Sequence, residues 1–201
     1  MSGQYPTNIN FKSFSITSNR PTLINQTLSG KKQVRQIGSQ YFSFSVQMPA
    51  MKQEIYQLYF AFLDKQKSSF EDFTIAAPLD NLGLAKTETD ILVNNNHVAG
   101  DATITIDGLT ANQVGAFKAG DYIKFNGHSK VYMLQNDTNA SGTGTATILI
   151  SPPLVKALAN NEVIITNKPQ FTVYLETDAL TSNTGSDGFF YISFDAREVI
   201  V

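Results

Sequence analysis

Tyr41-Phe42-Ser43-Phe44-Ser45-Val46-Gln47-Met48-Pro49 decides how the rest of this chain is read. Phe42, Phe44, Val46 and Met48 alternate with Tyr41, Ser43, Ser45 and Gln47, the two-residue period of a strand with one apolar face. Pro49 stops the strand and suits the first turn of a helix, where a missing N–H costs nothing. Behind it Met51, Ile55, Leu58, Tyr59, Phe62 and Leu63 recur at spacings of three and four. Lys52, Gln53, Gln57 and Asp64 fall away from that stripe. The spacing predicts one amphipathic helix over about 50–66, with Lys65 and Lys67 near its negative end. A strand over residues 70–75 and the stop at Ala77-Pro78 close this segment.

Upstream, residues 11–16 and 22–28 read as strands, and Ser29-Gly30-Lys31-Lys32 as a polar turn. Downstream, the character changes between Leu79 and Asn167. Short strands are expected at 103–106, 122–125, 131–134, 145–150 and 162–166, separated by polar turns. The Asn126-Gly127 pair carries the strongest hairpin signal, and five or six short strands of this kind fit a small barrel. From Lys168 the earlier style returns: Phe171, Val173 and Leu175 alternate, a turn is expected over 182–188, and Phe190, Ile192 and Phe194 line a last strand. Of 22 Phe and Tyr, 18 lie in 1–78 and 168–201, leaving only Phe117, Tyr122, Phe125 and Tyr132 between. The expected fold is mainly β. An aromatic-cored β-sandwich with one helix, built from 1–78 and 168–201, is interrupted by an inserted barrel over 79–167.

Composition narrows the chemistry. The 201 residues hold no cysteine and two histidines, and the net charge is −2. A disulfide framework, a zinc ribbon and a thiol nucleophile are excluded. The polar start lacks a signal peptide's cationic and apolar regions. No run of about eighteen apolar residues would span a bilayer. The balance gives no global attraction to nucleic acid, so specific nucleic-acid binding is not expected.

His97 and His128 are read as surface turn histidines, and neither has a second ligand at metal spacing. Asp101, Asp107 and Asp121 flank turns, where carboxylates cap backbone N–H groups. Asp137-Thr138-Asn139 only begins a calcium loop, and Ser141-Gly142-Thr143-Gly144 lacks the lysine and the helix of a phosphate cradle. No catalytic set, cofactor site or metal site is assigned.

Two features remain. Lys31, Lys32 and Arg35 form the densest basic cluster, open to a solvated turn or a contact with an acidic partner. On the helix, Tyr56 and Phe60 widen the apolar arc beyond one core contact. Either the helix is buried on two sides within its own domain, or a neighbouring subunit covers that flank.

The stretch Gly30-Lys31-Lys32-Gln33-Val34-Arg35-Gln36-Ile37-Gly38-Ser39-Gln40-Tyr41-Phe42 introduces the aromatic strand, Pro49 and the amphipathic helix, and a strand ending in Ala77-Pro78 closes this half. Later comes Phe117-Lys118-Ala119-Gly120-Asp121-Tyr122-Ile123-Lys124-Phe125, then His128-Ser129-Lys130-Val131-Tyr132. The order of parts resembles the distal tail proteins, or tail-tip and baseplate hubs, of tailed bacteriophages. The resemblance implies a non-enzymatic virion component, made in the host cytoplasm. It would assemble as a ring, expected to be a hexamer, that joins the tail tube protein to other tip, baseplate or fibre proteins. The sandwich would be the hub, and the insert an OB-like barrel. On that reading Tyr56 and Phe60 lie at the subunit interface, and Lys31, Lys32 and Arg35 face the tube or lumen. The alternatives are a tube-initiator or tail-completion protein, or a carbohydrate-binding module using Tyr122 or Tyr132. An enzyme of sugar or phosphate chemistry ranks behind them.

Overall fold

The computed structural model describes residues 3–200; residues 1–2 and 201, at the outer ends of the expected sandwich segments, lie outside the described residues. In chain order the strands are β1 (Ser13–Asn19), β2 (Thr22–Gln26), β3 (Lys32–Gln36), β4 (Tyr41–Gln47) and, after helix α1 (Gln53–Lys65), β5 (Phe73–Ala76). Then come β6 (Leu92–Val93), β7 (Thr103–Asp107), β8 (Tyr122–Phe125), β9 (Val131–Leu134), β10 (Ala146–Ser151) and β11 (Ile164–Ile165). β12 (Gln170–Leu175), β13 (Ser182–Thr184) and β14 (Phe190–Glu198) follow, and the described residues are mainly β with one α-helix. Two compact units result, Pro6–Phe73 with Val173–Glu198, and Gly3–Tyr5 with Thr74–Thr172 and residues 199–200.

In the first unit β4 pairs antiparallel with β1 on one side and β14 on the other. Its period-two pattern buries Phe42, Phe44, Val46 and the following Met48, as the sequence predicts. Phe44 lies opposite Ile16 and Ala196, and Val46 opposite Phe14 and Phe194, so apolar cross-strand pairs fix the register. The first unit's sheet runs β1-β4-β14-β12, with β13 also on β14. The expected turn at 182–188 is therefore partly a strand, because Ser182–Thr184 finds backbone partners on Phe190–Ile192.

Helix α1 starts three residues later than expected. Met51 instead exchanges backbone hydrogen bonds with Phe190, at 3.0 and 2.9 Å. Of its apolar stripe only Tyr59 and Leu63 are buried, while Ile55 and Leu58 stand exposed. Phe62 meets Phe73 edge to face with centroids 5.7 Å apart. The Tyr59 hydroxyl, buried, accepts the Ile9 N–H at 3.0 Å.

The second unit holds a six-stranded sheet in the order β11-β8-β9-β10-β7-β6. Its two ends meet: Leu92 bridges Val163, Val93 N–H donates to the Glu162 carbonyl, and Ile164 N–H donates to that of Ile91. The sheet is thus a nearly closed barrel, filled by Val93, Ile104, Ile106, Ile123, Phe125, Tyr132, Leu134, Ile148 and Ile150. Asn126-Gly127 does sit in the β8–β9 connection, where His128 N–H returns to the Phe125 carbonyl at 3.0 Å.

Candidate assembly surfaces

β2 and β3 form a separate two-stranded ribbon with Thr22 opposite Gln36, Ile24 opposite Val34 and Gln26 opposite Lys32. All ten of its strand residues are exposed. Partners directly across an antiparallel pair share a face. One face therefore carries Ile24, Val34 and Lys32, and the other Leu23, Arg35, Asn25 and Gln33. The sequence suggested a single basic loop at Lys31, Lys32 and Arg35. The ribbon instead sends Lys32 and Arg35 to opposite faces, each beside exposed aliphatic side chains. Leu23, Ile24, Leu28, Val34 and Ile37 are all more than half exposed, and sequence reasoning passed over them. Their signal was two adjacent apolar residues, Leu23-Ile24, in a segment with no dominant face.

On α1, Tyr56 and Phe60 are half-buried, with ring centroids 5.4 Å apart. Tyr56 also stacks on Phe190 at 4.6 Å, so its ring is engaged inside the first unit. The outward apolar side chains on this helix are Ile55 and Leu58.

Phe60 belongs also to a groove of about 350 Å³ at the C-terminal end of α1, floored by Leu63, Leu175, Leu180 and Phe194. Asp64, Lys67 and Asp178 stand among its lining residues. Lys67 and Ser68 both adopt positive φ, 52° and 63°, an uncommon pair for residues with side chains. That turn lets Ser68 Oγ reach both the Thr177 carbonyl at 3.0 Å and Asp178 Oδ1 at 2.6 Å, tying the helix end to the loop after β12.

In the second unit Asp121 and Asp101 cap backbone N–H groups, as the sequence assigns them. Asp121, buried, accepts the N–H groups of Leu82, Gly83 and Lys118 at 2.7, 3.0 and 2.9 Å. Asp101 accepts the Val98 N–H. Asp137 accepts the Ala119 N–H and Lys118 Nζ, which hold its carboxyl below the usual carboxylate range, the lysine contact first. Its oxygens serve the loop, and no group of three or more metal-capable side chains occurs among the described residues.

The reading of His128 as a surface turn residue is overturned. It is 5% exposed, with Nδ1 3.0 Å from Tyr132 Oη and the Phe125 ring packed edge-on at 5.5 Å. Burial lowers its pKa below the ordinary histidine value. Tyr132 is fully buried and also accepts the Val155 N–H, so it offers no stacking face to a sugar. Tyr122 is half-buried against Phe171, and burial raises its hydroxyl pKa. Thr103 and Thr105 of β7 and Thr147 of β10 line shallow clefts with Asn94, Asn95, Asn139 and Ser141, without an aromatic ring.

Residues 88–169 match the family model described as distal tail protein pb9, B domain. The matched segment carries all six strands of the barrel. The resemblance to phage distal tail proteins read from the sequence is met by this match. No curated protein matches the chain.

Proposed function

We propose that this chain is a structural, non-enzymatic component of a bacteriophage tail tip, assembling as a ring, a hexamer, that joins the tail tube to distal tail, baseplate or fibre proteins. The observation that carries the reading is the match of residues 88–169 to the B domain of a distal tail protein. The rest of the chain supports it. Residues 1–78 and 168–201 form the hub and 79–167 the inserted barrel. The hub presents a ribbon exposed on both faces, which a solitary soluble protein has no reason to keep.

On this reading the ribbon with Lys31, Lys32 and Arg35, and the helix flank with Tyr56 and Phe60, are the surfaces that meet neighbours or the tube. Contacts between head-to-tail subunits in a ring are heterologous and closed. Native mass spectrometry and negative-stain imaging of the purified chain test the proposal, together with a search for the chain in purified virions. A closed ring and a virion band are expected. A persistent monomer absent from virions overturns the assignment.

A further inference from the structure

We propose that, within the ring, the β2–β3 ribbon of one copy seats its Ile24–Val34–Lys32 face in the groove at the C-terminal end of α1 of the next copy. This rests on the ring reading and names the two surfaces that make it.

Charge is the first argument. Residues 1–53 carry Lys12, Arg20, Lys31, Lys32, Arg35 and Lys52 and not one carboxylate. Residues 54–73 and 173–198, the remainder of the same unit, carry nine Asp and Glu against three Lys and Arg. A unit divided in this way is attracted to a second copy of itself when the basic part of one meets the acidic part of the other. Such a contact is heterologous, the kind that generates rings.

Shape and chemistry locate the two ends of that attraction. The ribbon is where the basic segment carries uncovered aliphatic surface: Ile24 is 60% and Val34 53% exposed, paired directly across the strands with Lys32 on the same face. The groove is where the acidic segment offers an apolar floor, Phe60, Leu63, Leu175, Leu180 and Phe194, beside the carboxylates of Asp64 and Asp178. Its volume, about 350 Å³, suits a few aliphatic side chains at the lower end of what ligand clefts hold. Lys67, the one cation of the lining, has its Nζ 5.7 Å from the centre of the Phe70 ring, so two carboxylates against one ammonium set the sign. The Ser68 hydrogen bonds to Thr177 and Asp178 fix the wall on which the ribbon would rest. Apolar side chains in the middle with charges at the edge reproduce the anatomy of a specific protein interface.

The absence of native cysteine makes the test direct. Full-length I24C carrying a small affinity tag is mixed with untagged full-length L180C and oxidised at micromolar concentration. The expected main product is the tagged–untagged disulfide dimer. Adding K32E to the I24C chain reduces its yield about tenfold, and so does raising the salt. Oxidation that gives only same-chain pairs, or none, while the wild type assembles in native mass spectra overturns this pairing and leaves the ring standing. A wild type that stays monomeric removes the ring and the pairing together. Circular dichroism of each variant identifies any that has lost its fold; if I24C has, V34C on the same face replaces it. L23C, on the opposite face, is the control and must not cross-link to L180C.

Discussion

The N–H of Gly83 donates to Asp121 Oδ2 at 3.0 Å, and a Cβ added at Gly83 would lie 2.6 Å from that same oxygen. The buried carboxylate and the bare backbone define each other. The rest of the surroundings are equally close, with the Ala116 carbonyl at 2.5 Å and Phe117 Cα at 2.8 Å from the added atom.

Gly83→Ala is therefore expected to destabilise the barrel unit by about 2 kcal/mol or more, since backbone neighbours cannot rotate away as a flexible side chain would. Asp121→Asn should cost about 2–4 kcal/mol, because three N–H donors lose a charged acceptor and one meets an amide instead. Both shifts are read as a drop in thermal midpoint of ~10 °C for a unit of this size. An unchanged midpoint for either variant contradicts the geometry.

A second prediction concerns pH. His128 is buried, and desolvation holds its folded-state pKa below 6.5, the unperturbed value. Its Nδ1 lies 3.0 Å from Tyr132 Oη, and that hydroxyl oxygen also accepts the Val155 N–H. Below pH 6.5 the unfolded chain binds a proton that the folded chain resists, so stability falls as pH drops from there toward the folded-state value. Above it the residue contributes no slope. His128→Asn, which keeps an acceptor but cannot titrate, should flatten the difference in unfolding midpoint between about pH 8 and pH 5.5. Equal slopes in the two proteins refute the assignment.

Some of this was legible in the sequence and some was not, for identifiable physical reasons. β4 could be read because one face must be buried, and burial imposes strict alternation from Tyr41 to Met48. β3 could not: Lys32 to Gln36 has no buried face, so nothing in its pattern distinguishes strand from turn. The Lys31, Lys32 and Arg35 cluster was visible as charge, but the strand period that separates Lys32 from Arg35 appears only once the ribbon is known. On α1 the three-four spacing identified a helix, yet the stripe it implied includes the exposed Ile55 and Leu58. Tyr56 meets Phe190 from the far end of the chain, and no local spacing encodes that contact. His128 shows the same limit. The turn signal at Asn126-Gly127 was sound, and the burial of the next side chain depends on Phe125 and Tyr132 closing over it.

A third prediction separates the two roles open to Tyr56. Its ring stacks on Phe190 at 4.6 Å and lies tilted against Phe60 at 5.4 Å. Tyr56→Ala is expected to lower the stability of the isolated monomer by about 1–3 kcal/mol, the loss of a partly buried aromatic and its ring contacts. Leu58→Ala, on the exposed side of the same helix, should change it by less than about 0.5 kcal/mol. Denaturant unfolding at concentrations where the chain is monomeric gives both numbers. A neutral Tyr56→Ala would return that ring to the role of a purely intersubunit contact.

The ribbon gives the opposite pattern, and it is the sharpest test of the assembly reading. Ile24 and Val34 face each other across β2 and β3, yet both remain more than half exposed. Exposed side chains contribute little to the folding of one copy, so Ile24→Asp with Val34→Asp should leave the monomer's midpoint nearly where it was, within ~1 kcal/mol. In an interface the same change places two carboxylates against an apolar floor already bordered by Asp64 and Asp178, which costs several kcal/mol per contact, roughly the scale of a hot-spot loss. Native mass spectrometry should then find the variant folded and monomeric at concentrations where the wild type is a ring. If the double variant still closes into rings, the ribbon is not the element that joins the subunits.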